Sequence, residues 1–186
     1  MRRFSGVLVV AAAFAFGTPA MAAHWKVDTA KSKLGFTVQW SNEPFSAHFD
    51  NWKADIDFDP ANLAASHADV TIAIGSEASD AADLDGGLKG AQGFAAGQFP
   101  TAHFVTRSFS RKSGNQYVAD GTLTLKGITK DVTLPFSLTI NGKQAHMVGT
   151  AHLLRTDYGI GQGQWAAPTP VSHDVTVNID ITATAN

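Results

Sequence analysis

From residue 132 to 140 every second residue is a large hydrocarbon. Val132, Leu134, Phe136, Leu138 and Ile140 interleave with Thr133, Pro135, Ser137 and Thr139. The same pattern returns near the end, where Val175, Val177, Ile179 and Ile181 interleave with Asp174, Thr176, Asn178, Asp180 and Thr182. A period of two places successive side chains on opposite faces of a strand. Each stretch therefore has one greasy and one wet face, as an antiparallel sheet requires. Pro135 has no N–H for a ladder and marks an edge, a bulge or a shifted register.

Weaker versions of the pattern fill the rest of the chain. Leu34, Phe36, Val38 and Trp40 form one face of a strand. Residues 45–58 read as a long, bent strand with Asp55, Asp57 and Asp59 toward water, and Val70, Ile72 and Ile74 continue the series. Residues 101–110, 117–125 and 143–154 complete it. Turn signals separate the strands at Asn42-Glu43-Pro44, Asp59-Pro60, Ser113-Gly114-Asn115, Lys126-Gly127 and Asn141-Gly142. The last is the strongest hairpin signal, because both residues tolerate positive φ. Residues 79–97 break the rhythm, being rich in Ala, Asp and Gly. Ser79 as a cap with Asp80 in the first turn predicts a short helix near 80–88, and a further turn is expected near 91–95. Eight or nine strands in one domain imply a sandwich or a closed barrel, and alternation does not separate the two.

The first 22 residues are expected not to belong to the fold. Arg2 and Arg3 precede an eleven-residue apolar run, Gly6 to Phe16, and the small-residue pattern Ala20-Met21-Ala22 follows. This is the grammar of a secretory signal peptide cut after Ala22, leaving residues 23–186 as one domain. The run is too short for a membrane span, which takes roughly 20 apolar residues. Losing Arg2 and Arg3 takes Lys and Arg from 14 to 12 against 16 Asp and Glu, a net charge of −4. No basic balance calls for nucleic acid. With no cysteine there is no disulfide framework, no thiolate metal site and no cysteine nucleophile.

Chemistry-bearing residues are scattered. The seven histidines show no H-E-x-x-H motif and no close pair at metal spacing. They read as surface residues, and His24, beside the expected new N-terminus, suits at most an amino-terminal metal site. Ser172-His173-Asp174 spells triad letters, but consecutive strand residues point to opposite faces and do not converge. Asp55, Asp57 and Asp59 lack the Gly and terminal Glu of a calcium loop. No catalytic residue, no metal site and no cofactor is expected.

Several motifs together resemble the YceI-like family: Trp25-Lys26-Val27-Asp28, the run from Gln98 to Phe104, the run from Gly121 to Lys130 with its following strand, Arg155-Thr156-Asp157-Tyr158-Gly159-Ile160, and His173-Asp174-Val175. The resemblance spans nearly all of residues 23–186. It implies an all-β fold, a lipocalin-like antiparallel barrel of about eight strands with a short helical insertion, exported to the periplasm. It also implies a polyisoprenoid or isoprenoid-quinone lipid as partner, and members often pair as homodimers. On that reading Phe36, Val38, Trp40, Phe49, Ile72, Phe104, Leu123, Leu125, Leu134, Phe136 and Leu138 face the interior, around a lipid tail or as a dry core. Phe94 and Phe99 belong to a segment able to cover one mouth. Arg155 and Asp157, two apart, are the candidates for a lipid headgroup, or else a structural pair. An enzyme acting on a small amphiphile in the same barrel, with His103 as a further polar actor, and a ligand-free scaffold are the alternatives.

Overall fold

The computed structural model describes residues 22–186, so the signal-peptide expectation lies outside the described residues apart from Ala22. Eleven strands follow in order: β1 (Ala23–Val27), β2 (Lys33–Trp40), β3 (Glu43–Phe49), β4 (Trp52–Phe58), β5 (His67–Ala73), β6 (Glu77–Ser79), β7 (Thr101–Ser113), β8 (Gln116–Leu125), β9 (Ile128–Asn141), β10 (Gln144–Leu154) and β11 (Val171–Ala185). One helix, α1 (Ala82–Lys89), interrupts them. The pairings reduce eleven segments to eight staves. On one edge β11 pairs β10 throughout; on the other it pairs β2 with its first part and β1 with its last. Thus β1 and β2 are two halves of one stave, as are β3 and β4, and β5 and β6. The sheet runs up and down in chain order and closes where β11 meets β1 and β2. The choice between sandwich and barrel is therefore settled as a barrel.

The alternating stretches behave as their periodicity requires. Val132, Leu134 and Phe136 are buried, while Asp131, Thr133 and Pro135 are exposed. Pro135 has a ladder consequence: β9 pairs β10 only from Asn141–Gln144 to Phe136–Gly149, and the pairing stops one residue short of the proline. Beyond that point a short 3-10 turn, Arg155–Tyr158, packs against both strands. The expected bent strand over 45–58 breaks into β3 and β4 around Asp50 and Asn51. Two turns have positive φ in both positions, Ser41-Asn42 and Lys126-Gly127, whereas at Asn141-Gly142 only the glycine has it.

Three connections, residues 59–66, 114–115 and 142–143, lie at one end of the barrel. At the other end lie the two long ones, residues 80–100 and 155–170, together with the tight turns 41–42 and 126–127. The helix starts two residues later than expected, and Ser79 does not cap it as expected: its hydroxyl donates to Asp85 Oδ1 at 2.6 Å and accepts from Ala81 N–H at 3.1 Å.

β11 closes the barrel on β2 through seven register pairs and on β1 through three, and β1 adds two pairs to β4. The buried Trp25 indole N–H donates to Phe58 O at 2.9 Å, adding a side-chain bond across that short ladder. Trp25→Phe keeps an apolar ring but leaves the Phe58 carbonyl without this donor. It is expected to lower unfolding stability by ~1–3 kcal/mol in urea titration.

Candidate functional site

The inner faces of the staves do not meet across the axis. They enclose a continuous cavity of about 280 Å³, walled almost wholly by hydrocarbon. That volume sits near the lower end of the ~300–1,000 Å³ usual for ligand pockets. The lumen survives partly because small residues, Ala102, Ala119, Ala145, Ala151 and Ala183, occupy wall positions where larger ones would fill it. At the short-loop end Phe58, Phe109, Tyr117 and Phe136 pack together, Phe58 and Phe109 edge to face at 5.1 Å and Tyr117 and Phe136 stacked at 5.5 Å. At the long-loop end Phe36, Phe49 and Phe94 form a triangle with ring centres 5.9–6.1 Å apart. Phe49, Ile72, Leu123 and Leu153 touch both groups and form the waist between them.

Eleven of the thirteen expected tail contacts line this lumen: Phe36, Val38, Phe49, Ile72, Phe94, Phe104, Leu123, Leu125, Leu134, Phe136 and Leu138. Trp40 does not. It stands at the end of β2, beyond the barrel's inner surface, and packs against Phe45 at 6.1 Å and Trp165 at 5.5 Å. Phe99 is also outside the wall; its ring lies against Gly127 in the 126–127 turn. Periodicity placed Trp40 inward because it reads the strand but not the point where the strand leaves the barrel.

The covering segment enters the lumen through Phe94 and Leu88. Phe94 N–H donates to Leu88 O at 2.7 Å, and a Cβ at Gly93 would lie 2.0 Å from that same carbonyl, so only glycine permits the turn. The segment is latched by Lys126, a residue whose place in the sequence marks only a turn. Its ammonium donates to Ala91 O, Gly93 O and Gly159 O at 2.7–3.0 Å, joining both long connections to the 126–127 turn. Burial pushes the Lys126 ammonium below its usual range. Gly161 N–H reinforces the join by donating to Gln92 O at 2.7 Å.

Arg155 does not offer itself to a headgroup. Its buried guanidinium donates to six backbone carbonyls at 2.7–3.0 Å: Ser172, Ile160, Gly161, Trp165, Ala167 and Val171. Five N–H groups are thereby fully used, one of them shared. Asp157 is exposed and makes no ion pair with it among the described residues, so the pair does not act as a unit. Gly161, at φ +72°, lets the chain pass so close that a Cβ there would collide with the guanidinium. Lysine has neither the fork nor the donor count. Arg155→Lys should cost ~3 kcal/mol or more, several buried carbonyls losing their partner, with amide exchange accelerating first in residues 159–171.

Two further polar groups are buried without a hydrogen-bond partner among the described residues, the Tyr158 hydroxyl and the Glu77 carboxylate. Burial, with the nearby Asp157 charge, pushes Tyr158 up to about 12. Glu77 lies beneath α1, with Lys89 Nζ 4.0 Å away. Desolvation, then the charge of Asp85, pushes it up to about 7, against weaker opposing effects of Lys89 and His48. Its folded value exceeds the unfolded one, so the native state holds the extra proton between about pH 4.5 and 7. Stability must fall as pH rises through that window. Glu77→Gln is expected to flatten this slope and to raise stability at pH 8 by ~1–3 kcal/mol, as read by denaturation at pH 5 and pH 8.

A closed up-and-down barrel around a hydrocarbon lumen, with one end capped by an inserted segment, defines a lipocalin-like architecture. Residues 25–183 match the family model described as YceI-like domain, and the chain belongs to that family. Among curated relatives, a UPF0312 protein of Vibrio vulnificus (strain YJ016) is 29% identical over 150 residues, covering 76% of this chain and 79% of the relative. A UPF0312 protein of Photorhabdus laumondii is 32% identical over 127 residues, covering 67% of this chain and 66% of its own. Among solved structures, Burkholderia cenocepacia BcnA superposes with a TM-score of 0.83 at 30% identity, over 86% of this chain and 100% of that one. A polyisoprenoid binding domain from Saccharophagus degradans shares the fold, with a TM-score of 0.67 at 14% identity over 89% of this chain and 99% of that one.

Proposed function

We propose that this protein is an exported carrier that shelters the hydrocarbon tail of an isoprenoid lipid or isoprenoid quinone inside its barrel. The observation that carries the reading is the lumen itself: about 280 Å³ lined from end to end by Phe, Leu, Ile, Val and Ala side chains. Water rejects a prenyl tail at ~0.8 kcal/mol per buried CH₂, and a wall made almost wholly of hydrocarbon accepts it at little desolvation cost. Part of that gain is spent on ordering the chain and losing its translational freedom. Export is supported by the Arg2-Arg3 start, the apolar run and Ala20-Met21-Ala22, which together suit delivery to the periplasm. Among the described residues no helix is long and apolar enough to cross a membrane.

Tyr158 lends the site a polar handle. It belongs to the wall at the long-loop end, and its hydroxyl has no partner. A carbonyl or hydroxyl on the ligand's head would satisfy that donor after a small adjustment of the surrounding chain. Catalysis gains no comparable support. His103 sits on the outer face, 2.6 Å from Asp69, Arg155 is consumed by carbonyls, and Asp157 faces water.

Protein purified from bacterial cells, extracted with organic solvent and examined by mass spectrometry, should yield a prenyl lipid in near-stoichiometric amount. Ala151 is a small residue of the wall, and Ala151→Phe inserts a ring into the lumen. The variant should keep the wild-type circular dichroism and lose most of the lipid. An extract of wild-type protein free of prenyl lipid would sink the proposal.

A further inference from the structure

At the short-loop end, the outer faces of three neighbouring staves bring together side chains that lie far apart in sequence. His24 of β1 is in register with Asp57 of β4, and Asp57 with His67 of β5. Asp55, two residues before Asp57 on the same strand face, completes the group. His24 Nδ1 lies 3.0 Å from Asp57 Oδ1 and 3.5 Å from Asp55 Oδ1. His67 Nδ1 lies 3.6 Å from the other Asp57 oxygen. His24, Asp55 and Asp57 each offer one ligand atom, and all three atoms lie within 4.8 Å of one another.

We propose that this cluster is a binding site for a divalent late transition metal, zinc above all, held by His24, Asp55 and Asp57. Ligand atoms that each sit ~2.0–2.2 Å from a zinc ion are ~3.0–3.6 Å from one another, and the 3.0 and 3.5 Å separations around His24 already have that size. Two carboxylates match the charge of a dication. An imidazole selects zinc, copper or nickel over magnesium and calcium, which prefer all-oxygen shells. His67 stands 3.6 Å from the free oxygen of Asp57, beyond hydrogen-bond reach, and flanks the site as a neighbour. The ligands sit on strands, not loops, so the ladder itself holds their spacing. His24 is about half exposed and Asp55 about two-thirds, which leaves room for water to complete the coordination shell.

Such a metal would tie β1 to β4, which share only two register pairs. Binding to the folded state alone raises apparent stability by mass action, so occupancy reads out as a melting shift. The site lies on the outside of the barrel, and its test is independent of any lipid in the lumen.

The experiment is isothermal titration of zinc chloride into the tag-free, chelator-treated full chain, paired with thermal melting. Expected are one zinc ion per chain, a rise in melting temperature with zinc and none with magnesium, and a loss of affinity of at least ~10-fold in His24→Ala and Asp57→Asn. His146→Ala removes another exposed histidine paired to an aspartate, His146 Nε2 being 2.8 Å from Asp180 Oδ1 on a different pair of strands, and should bind zinc as the wild type does. Circular dichroism separates a misfolded variant from one that has lost only the metal. In case His24→Ala misfolds, Asp55→Asn, at the most exposed ligand, carries the same expectation. Zinc binding that is absent, or equally weakened by His146→Ala, overturns the assignment.

Discussion

A greasy face on every stave has to be hidden, and here only closure hides it. β11 makes closure possible because it is long enough, at fifteen residues, to pair β10 along one edge and both β2 and β1 along the other. An open sheet of the same strands would present a hydrocarbon face and two unpaired edges to water. Once the edges are joined, the inward faces see one another across a lumen, and the polar residues of Asp174, Asn178 and their neighbours are all outside. The stave opposite β10 is made of two strands, β1 and β2, joined by a single 3-10 turn at Thr29–Lys31.

The lumen stays hollow for reasons that belong to the composition of the wall. Aromatic rings gather at the two ends, where they pack against one another, while alanines hold wall positions that larger side chains would fill. Protein interiors normally pack to crystal-like density, and an unfilled apolar space forfeits dispersion contacts on its whole lining. A fold that tolerates this loss gains it back when a hydrocarbon of suitable girth enters. The emptiness is thus tied to the proposed cargo through packing energetics, with no appeal to a specific headgroup.

Much of this was legible in the chain. Period-two alternation located β9 and β11 to within a few residues, and it put Phe36, Val38, Leu134 and Phe136 on the inside. The lapse in that rhythm located the covering segment and drew attention to Phe94. What escaped were relations between distant residues. Arg155 was legible as a cation worth explaining, but six carbonyl partners spread over residues 160–172 follow from the path of a loop, and no local spacing encodes that path. Lys126 looks like an ordinary turn lysine until residues 91, 93 and 159 are brought to it. The His24, Asp55 and Asp57 cluster is invisible to motif spacing for the same reason, since its members meet through ladder register and not through sequence.

The two ends of the barrel differ in how they are held, and the difference bears on where a ligand passes. The short-loop end is packed with interlocked rings and offers few polar bonds to exchange. At the long-loop end two cations, the half-buried Lys126 and the buried Arg155, hold the connections through backbone carbonyls and no carboxylate. Bonds of that kind are traded for bonds to water at a small net cost, because both partners remain solvated after the exchange. The larger cost of opening is the withdrawal of Phe94 from between Phe36 and Phe49, which exposes apolar surface on all three rings. A lipid tail arriving at that mouth covers the same surface as Phe94 leaves it. On the proposed carrier role, only an apolar guest offsets the cost of opening in this way, and the covering segment would select for hydrocarbon at the entrance by the same physics that retains it in the lumen.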